Sequence, residues 1–161
     1  MKHSILFVCL GNICRSPAAE GITKKMLASR GLGDLVYVDS AGIGNWHAGQ
    51  LPDSRMRRHG AAHGYNFDSR ARQFVAGDFD RFSHIVAMDA DNVTAINAKA
   101  RTDSDRKKVL RMADFLRTHP GRKSIPDPYY GSDRDFELVI ELLEDACEGL
   151  VNHICKTLKQ E

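Results

Sequence analysis

Apolar and polar positions along this 161-residue chain alternate between two kinds of spacing. Ile5-Leu6-Phe7-Val8 is a continuous β-prone run closed by Gly11-Asn12, which predicts a strand buried on both faces. The pattern then turns helical. Ser16-Pro17 offers an N-cap and a proline for the first helical position, and Ala18, Ile22, Met26 and Leu27 follow at helical spacing until Gly31 and Gly33. Leu35 to Val38 predicts a second strand ending at Asp39-Ser40-Ala41-Gly42. A polar loop through Trp46 and Gly49 then leads to Pro52-Asp53, where a helix can start. Ser83 to Met88 predicts a third strand, Asp91 to Ala100 a helix, and Lys108 to Met112 a weaker fourth strand. From Asp133 onward Phe136, Val139, Ile140, Leu143, Cys147, Leu150, Ile154 and Leu158 recur every three or four residues, predicting a long amphipathic helix over one sheet face.

Alternating strands and helices imply one doubly wound α/β domain over residues 1–161: a four-stranded parallel sheet flanked by helices, with right-handed crossovers. Ligands of such sheets bind at the carboxyl ends of the strands. The loop after the first strand is therefore where chemistry is expected.

Composition narrows the function classes. Hydrophobic residues make up 42% and charged residues 27%, ordinary for a folded protein and far from disordered or fibrous compositions. No apolar run approaches the roughly 18 residues that span a bilayer, and Gly11-Asn12 interrupts the first one where a signal peptide would extend it. These features point to the cytoplasm, with no membrane partner. The formal charge of +2 gives no reason to expect nucleic acid, so any anion affinity must be local. Arg55, Arg57, Arg58, Arg70 and Arg72 crowd one stretch, and Asp133, Asp135, Glu137, Glu141, Glu144 and Asp145 another; both read as solvated helix faces. Four cysteines in such a chain read as free thiols. Cys147 and Cys155, eight residues apart on one helix, are too far apart to bridge.

Cys9 and Arg15 stand at Cys-x5-Arg spacing. With four cysteines and fourteen arginines, roughly one chain in three of this composition carries that spacing by chance, so context must carry the argument. The match starts at the end of a predicted strand and finishes at the start of a predicted helix, where unpaired N–H groups and the helix dipole favour an anion. Five intervening residues can curl their amides onto phosphate oxygens, with Gly11 permitting close approach and Asn12 tolerating φ > 0. In that nest the helix terminus, the amides and Arg15 all favour a Cys9 thiolate, a nucleophile. The planar Arg15 fork can grip two phosphate oxygens and tighten as charge develops on them. A proton donor for the leaving oxygen is offered by Asp127, held between Pro126 and Pro128, with Tyr129-Tyr130 able to wall an aromatic slot.

Val8-Cys9-Leu10-Gly11-Asn12-Ile13-Cys14-Arg15-Ser16-Pro17 together with Asp127-Pro128-Tyr129-Tyr130 resembles the low molecular weight protein tyrosine phosphatase family. Ala19-Glu20, Asp39 to Gly42, Trp46, Ala71-Arg72-Gln73 and Met88-Asp89 match in the family's order, so the resemblance covers nearly the whole chain. It implies hydrolysis of phosphotyrosine through a phosphocysteine, with Cys9 as nucleophile, Arg15 as phosphate clamp and Asp127 as general acid and then base. By the same matches Leu10, Gly11, Asn12, Ile13, Cys14 and Ser16 form the phosphate loop, and Ser16 donates toward the Cys9 sulfur. Asn12 and Ser40 pair to hold the loop, Asp89 orients Arg15, and Leu10, Trp46, Tyr129 and Tyr130 contact the substrate ring. At Ser69 family members often carry a His that supports the Asn. The resemblance implies no cofactor, tyrosine-phosphorylated proteins as partners, a monomer or weak self-association, and a redox role for Cys14 as the thiol that resolves oxidised Cys9.

Other readings are weaker. Arsenate reductases of the same fold share the anion loop, but their relay needs further cysteines near the third strand, and none lies between Cys14 and Cys147. Cys9-x4-Cys14 and the His59/His63 pair suggest a metal, yet Gly60 stands where a His-Glu-x-x-His site has its Glu, so no metal is expected. A phosphotyrosine-binding module would need neither nucleophile nor acid, and both are present.

Overall fold

The computed structural model describes residues 3–159. The apolar run at the start forms β1 (His3–Cys9), longer than the sequence run because polar His3 and Ser4 are buried with it. After the loop, α1 covers Arg15–Ser29, two residues earlier than Ser16-Pro17 suggests. Cys14 is its N-cap and makes no side-chain cap bond, while the Ser16 hydroxyl that was expected to cap turns instead to the Cys9 sulfur. Next come β2 (Val36–Gly42), α2 (Ser54–Ala62), α3 (Asp78–Arg81), β3 (His84–Ala87), α4 (Ala90–Asn97), α5 (Asp103–Lys107), β4 (Val109–Arg111), a 3-10 turn (Met112–Phe115) and the long α6 (Asp133–Lys159). The segment Asp39 to Gly42, expected to close β2, continues it: Cys9 pairs with Gly42 at the carboxyl edge of the sheet.

All strand pairs are parallel and the order is β2-β1-β3-β4. The chain leaves β1 toward β2 on one side and returns to β3 on the other, so the crevice beyond β1 is the topological switch point. The pleat sorts β1 into two cores. Ile5, Phe7 and Cys9 face α1 and α6 in a cluster with Ile22, Phe136, Leu143 and Leu150. Leu6 and Val8 face the opposite layer with Phe74, Phe79, Ile85 and Ile96. Cys9 is thus an element of the core whose last atom emerges at the switch point.

The two charge clusters are not separate solvated faces. Arg58 bonds Asp133 at 2.7 Å, and His59 and His63 bond Glu137 at 2.6 Å each, so the basic face of α2 lies against the acidic start of α6. Arg72 bridges Asp39 and Asp78. No helix among the described residues is long and apolar enough to cross a membrane.

Candidate active site

At the end of β1 the chain turns through Leu10–Cys14 before α1 begins. Asn12 sits at φ 58°, the one non-glycine residue with positive φ among the described residues, as a loop curling its amides inward requires. Its side chain fixes the turn. The amide nitrogen donates to Ser16 Oγ at 2.8 Å and Ser40 Oγ at 3.0 Å, and Oδ1 accepts from the Arg72 backbone N–H at 3.0 Å. Both amide hydrogens are therefore used. The Ser40 hydroxyl donates to buried Glu20 at 2.6 Å, and Lys24 pairs with the other oxygen of that carboxylate. Because Glu20 can only accept, Ser40 must donate outward and receive from Asn12. Ser16 likewise receives from Asn12, which leaves its own proton for the Cys9 sulfur 3.0 Å away or for the Ala41 carbonyl at 3.4 Å. The expected Asn12–Ser40 and Ser16–Cys9 pairs are both present. Ser69 makes no hydrogen bond to Asn12: it lines a small cleft beside Glu20 and Lys24, and Arg72 completes the loop's support.

Gly42 makes a further contribution that sequence did not reveal. A Cβ there would lie 2.9 Å from the Gly11 carbonyl carbon and 3.0 Å from the Asn12 nitrogen, so its absence lets β2 back directly onto the loop.

Arg15, only 3% exposed, donates from Nη1 to Asp89 Oδ2 at 2.6 Å and to the Ile125 carbonyl at 2.9 Å, while Nη2 lies 3.6 Å from Asp127 Oδ2. Burial opposes its charge, but Cys9, Asp89 and Asp127 outweigh that and raise its pKa. Cys14 differs sharply from a nucleophile. Burial first, then Asp53, Cys9 and Asp127, push its thiol well above the ordinary range despite Arg55 nearby. All four cysteines are free. Asp127 is 41% exposed, and its Oδ1 accepts from the Tyr129 N–H at 3.1 Å.

These groups surround a cavity of about 310 Å³ lined by Cys9, Leu10, Gly11, Ile13, Cys14, Arg15, Trp46, His47, Asp127, Tyr129 and Tyr130. Asn12, Ser16, Ser40 and Asp89 lie outside this lining, supporting the groups that form it. The tyrosine rings meet edge to face at 4.9 Å, and Trp46 and Tyr130 are 65% and 96% exposed. Trp46 lies on Gly44, where a Cβ would come within 2.1 Å of the indole. His47 was missed from sequence because nothing in the polar 44–51 loop marks it. Its ring tilts against Tyr129 and packs on Gly11, whose absent Cβ would touch it at 3.1 Å.

No cluster of three or more His, Cys, Asp or Glu suited to a metal occurs among the described residues, and His59 and His63 are spent on Glu137. Cys147 is buried in the core under α1, and Cys155 is half-buried near the end of α6.

Comparison with known proteins agrees with the geometry. The family model for low molecular weight phosphotyrosine protein phosphatase matches residues 4–161. A Streptomyces coelicolor protein named low molecular weight protein-tyrosine-phosphatase is 41% identical over 152 residues, covering 94% of this chain and 93% of that one. The Sus scrofa low molecular weight phosphotyrosine protein phosphatase is 36% identical over 156 residues, covering 96% and 97%. A crystal structure of an Entamoeba histolytica protein tyrosine phosphatase with Hepes in its active site superposes with a TM-score of 0.92 at 43% identity, covering 96% of this chain and 98% of that one.

Proposed function

The chain belongs to the low molecular weight phosphotyrosine protein phosphatase family, and from that membership in a class of phosphotyrosine hydrolases we propose a two-step, double-displacement mechanism on Cys9. In the first step the Cys9 thiolate attacks phosphorus, an S–P bond forms, and the P–O bond to the tyrosyl ring breaks. Asp127 gives its proton to the departing phenolate oxygen. In the second step a water attacks the phosphocysteine, Asp127 takes the water's proton, and the S–P bond breaks to return the thiolate and inorganic phosphate. Arg15 holds two non-bridging oxygens, and the loop amides gather round the rest as charge moves onto them. The Ser16 hydroxyl steadies the thiolate when it is the leaving group.

The observation that carries this reading is the convergence of Cys9, Arg15 and Asp127 on one cavity, with Ser16 behind the sulfur. Tyrosine-phosphorylated proteins are the substrates, met in the cytoplasm, where free thiols persist. Peroxide would convert Cys9 to a sulfenic acid; the Cys14 sulfur then attacks the Cys9 sulfur, the S–O bond breaks and the hydroxyl leaves with the thiol proton as water, giving a Cys9–Cys14 disulfide that reductant reopens.

The test is turnover by the full chain of a phosphotyrosyl peptide and of p-nitrophenyl phosphate. Cys9→Ser abolishes both with the fold intact. Asp127→Asn costs on the order of 10² to 10⁴ in kcat on the peptide and far less on p-nitrophenyl phosphate, whose leaving group scarcely needs a proton. A fully active Cys9→Ser, or equal losses on both esters for Asp127→Asn, refutes the respective assignment.

A further inference from the structure

The acid segment is anchored two residues before Asp127 and two residues after it. Upstream, Ile125 is fixed on both sides, its N–H donating to Met88 and its carbonyl accepting from Arg15. Downstream, the Tyr129 carbonyl accepts from Arg55 Nη2 at 3.0 Å. Arg55 is held in turn as a fork. Its Nε and backbone N–H reach one oxygen of Asp53 at 3.0 and 2.8 Å, and Nη2 reaches the other at 2.9 Å. The guanidinium lies 4.6 Å from the centre of the Phe136 ring on α6 and 5.5 Å from that of Tyr129. Asp53 then closes the circuit: its backbone N–H donates to the Ile13 carbonyl at 2.8 Å, inside the anion loop. The Arg55–Asp53 pair thus connects the phosphate loop, the start of α2, the start of α6 and the acid segment.

We propose that Arg55 is a positioning residue for the reaction: by tying the Tyr129 carbonyl through Asp53 to the anion loop, it fixes where Asp127 stands relative to the leaving oxygen. Two prolines stiffen the segment locally, but stiffness alone does not register it against Cys9, and Asp127 is too exposed for packing to do so. A planar, bidentate fork suits this task and an ammonium does not. The inference rests on Asp127 being the general acid.

The experiment compares Arg55→Met, Arg55→Lys, Asp127→Asn and the Arg55→Met/Asp127→Asn double variant in the full chain, on a phosphotyrosyl peptide and on p-nitrophenyl phosphate. Thermal melts check folding; if Arg55→Met does not fold, Arg55→Lys carries the same comparison. Arg55→Met loses about ten- to hundredfold in kcat on the peptide, as misplacement of a catalytic group by about an ångström does, and a smaller factor on p-nitrophenyl phosphate. Arg55→Lys shows the same bias, and Arg55→Met adds less than about twofold in the Asp127→Asn background, where the acid is already gone. Equal factors on both esters, full activity of Arg55→Lys, or an undiminished loss in the Asp127→Asn background each overturn the proposal. If Asp127→Asn alone shows no bias between the esters, it is the assignment of Asp127 that fails.

Discussion

Replacing Asp89 separates two jobs that one carboxylate performs. Its Oδ2 accepts from Arg15 Nη1 at 2.6 Å, and its Oδ1 caps α4 by accepting from the Asn92 N–H at 2.8 Å. Asp89→Asn keeps a capping oxygen and removes the charge; Asp89→Ala removes both. The Arg15 side chain is 3% exposed and that of Asp89 28%, so their bond is a charge-assisted one with little competition from water, worth about 1.5–3 kcal/mol. The full cost of stranding a buried charge does not apply, because the Ile125 carbonyl and Asp127 remain beside Arg15. Asp89→Asn should therefore lose about 2 kcal/mol in urea unfolding, and Asp89→Ala about 1 kcal/mol more for the cap. Activity should divide differently. The cap has no part in catalysis, so both variants should fall by a similar ten- to hundredfold in kcat/KM on p-nitrophenyl phosphate, as the Arg15 fork loses its register on the phosphate. Wild-type activity in Asp89→Asn would show that Arg15 is oriented without the carboxylate. Two variants of equal stability would show that the cap contributes nothing.

Three further outcomes follow from the geometry. Cys14→Ser should keep turnover but, after a peroxide pulse, recover far less activity on adding thiol reductant than the wild type; equal recovery removes Cys14 from redox control. Gly44→Ala should displace Trp46 and raise KM for aryl phosphates while the inhibition constant of inorganic phosphate stays put; because the indole is exposed, stability should change by no more than about 0.5 kcal/mol. His84 is held to about 4 by burial and then by His3 and His153, so the unfolded chain binds the extra proton first. The stability it contributes is present above pH 6.5 and is lost as pH falls toward 4, at up to about 1.4 kcal/mol per pH unit. Urea unfolding across that range should show a slope that His84→Gln flattens, and an unchanged slope contradicts the assignment.

Much of the frame was legible because it rests on local signals. The β1 run and the α6 spacing each lie within one element, and the Cys9-to-Arg15 interval spans only the short loop between β1 and α1. The short α3, α5 and the 3-10 turn were not legible, since one turn of helix shows no periodicity. Nor were long-range contacts. Arg72 supports Asn12 through a backbone N–H, which no side-chain pattern encodes, and Glu20 looks like any helix carboxylate until Ser40 and Lys24 are brought to it. Ser16 reads as a cap by type, but the helix starts at Arg15, so Ser16 lies inside its first turn and its hydroxyl meets the Cys9 sulfur instead. The charge runs of α2 and α6 were readable as charges, though their mutual pairing is a product of the fold.

The most direct test of the account is chemical. The full chain is mixed with excess phosphotyrosyl peptide, quenched within the first turnover, digested and examined by mass spectrometry for phosphate on the Cys9 peptide. The account predicts a phosphocysteine at Cys9 that forms faster than inorganic phosphate appears and is missing in Cys9→Ser. Phosphate released in the first turnover with Cys9 never modified would contradict it.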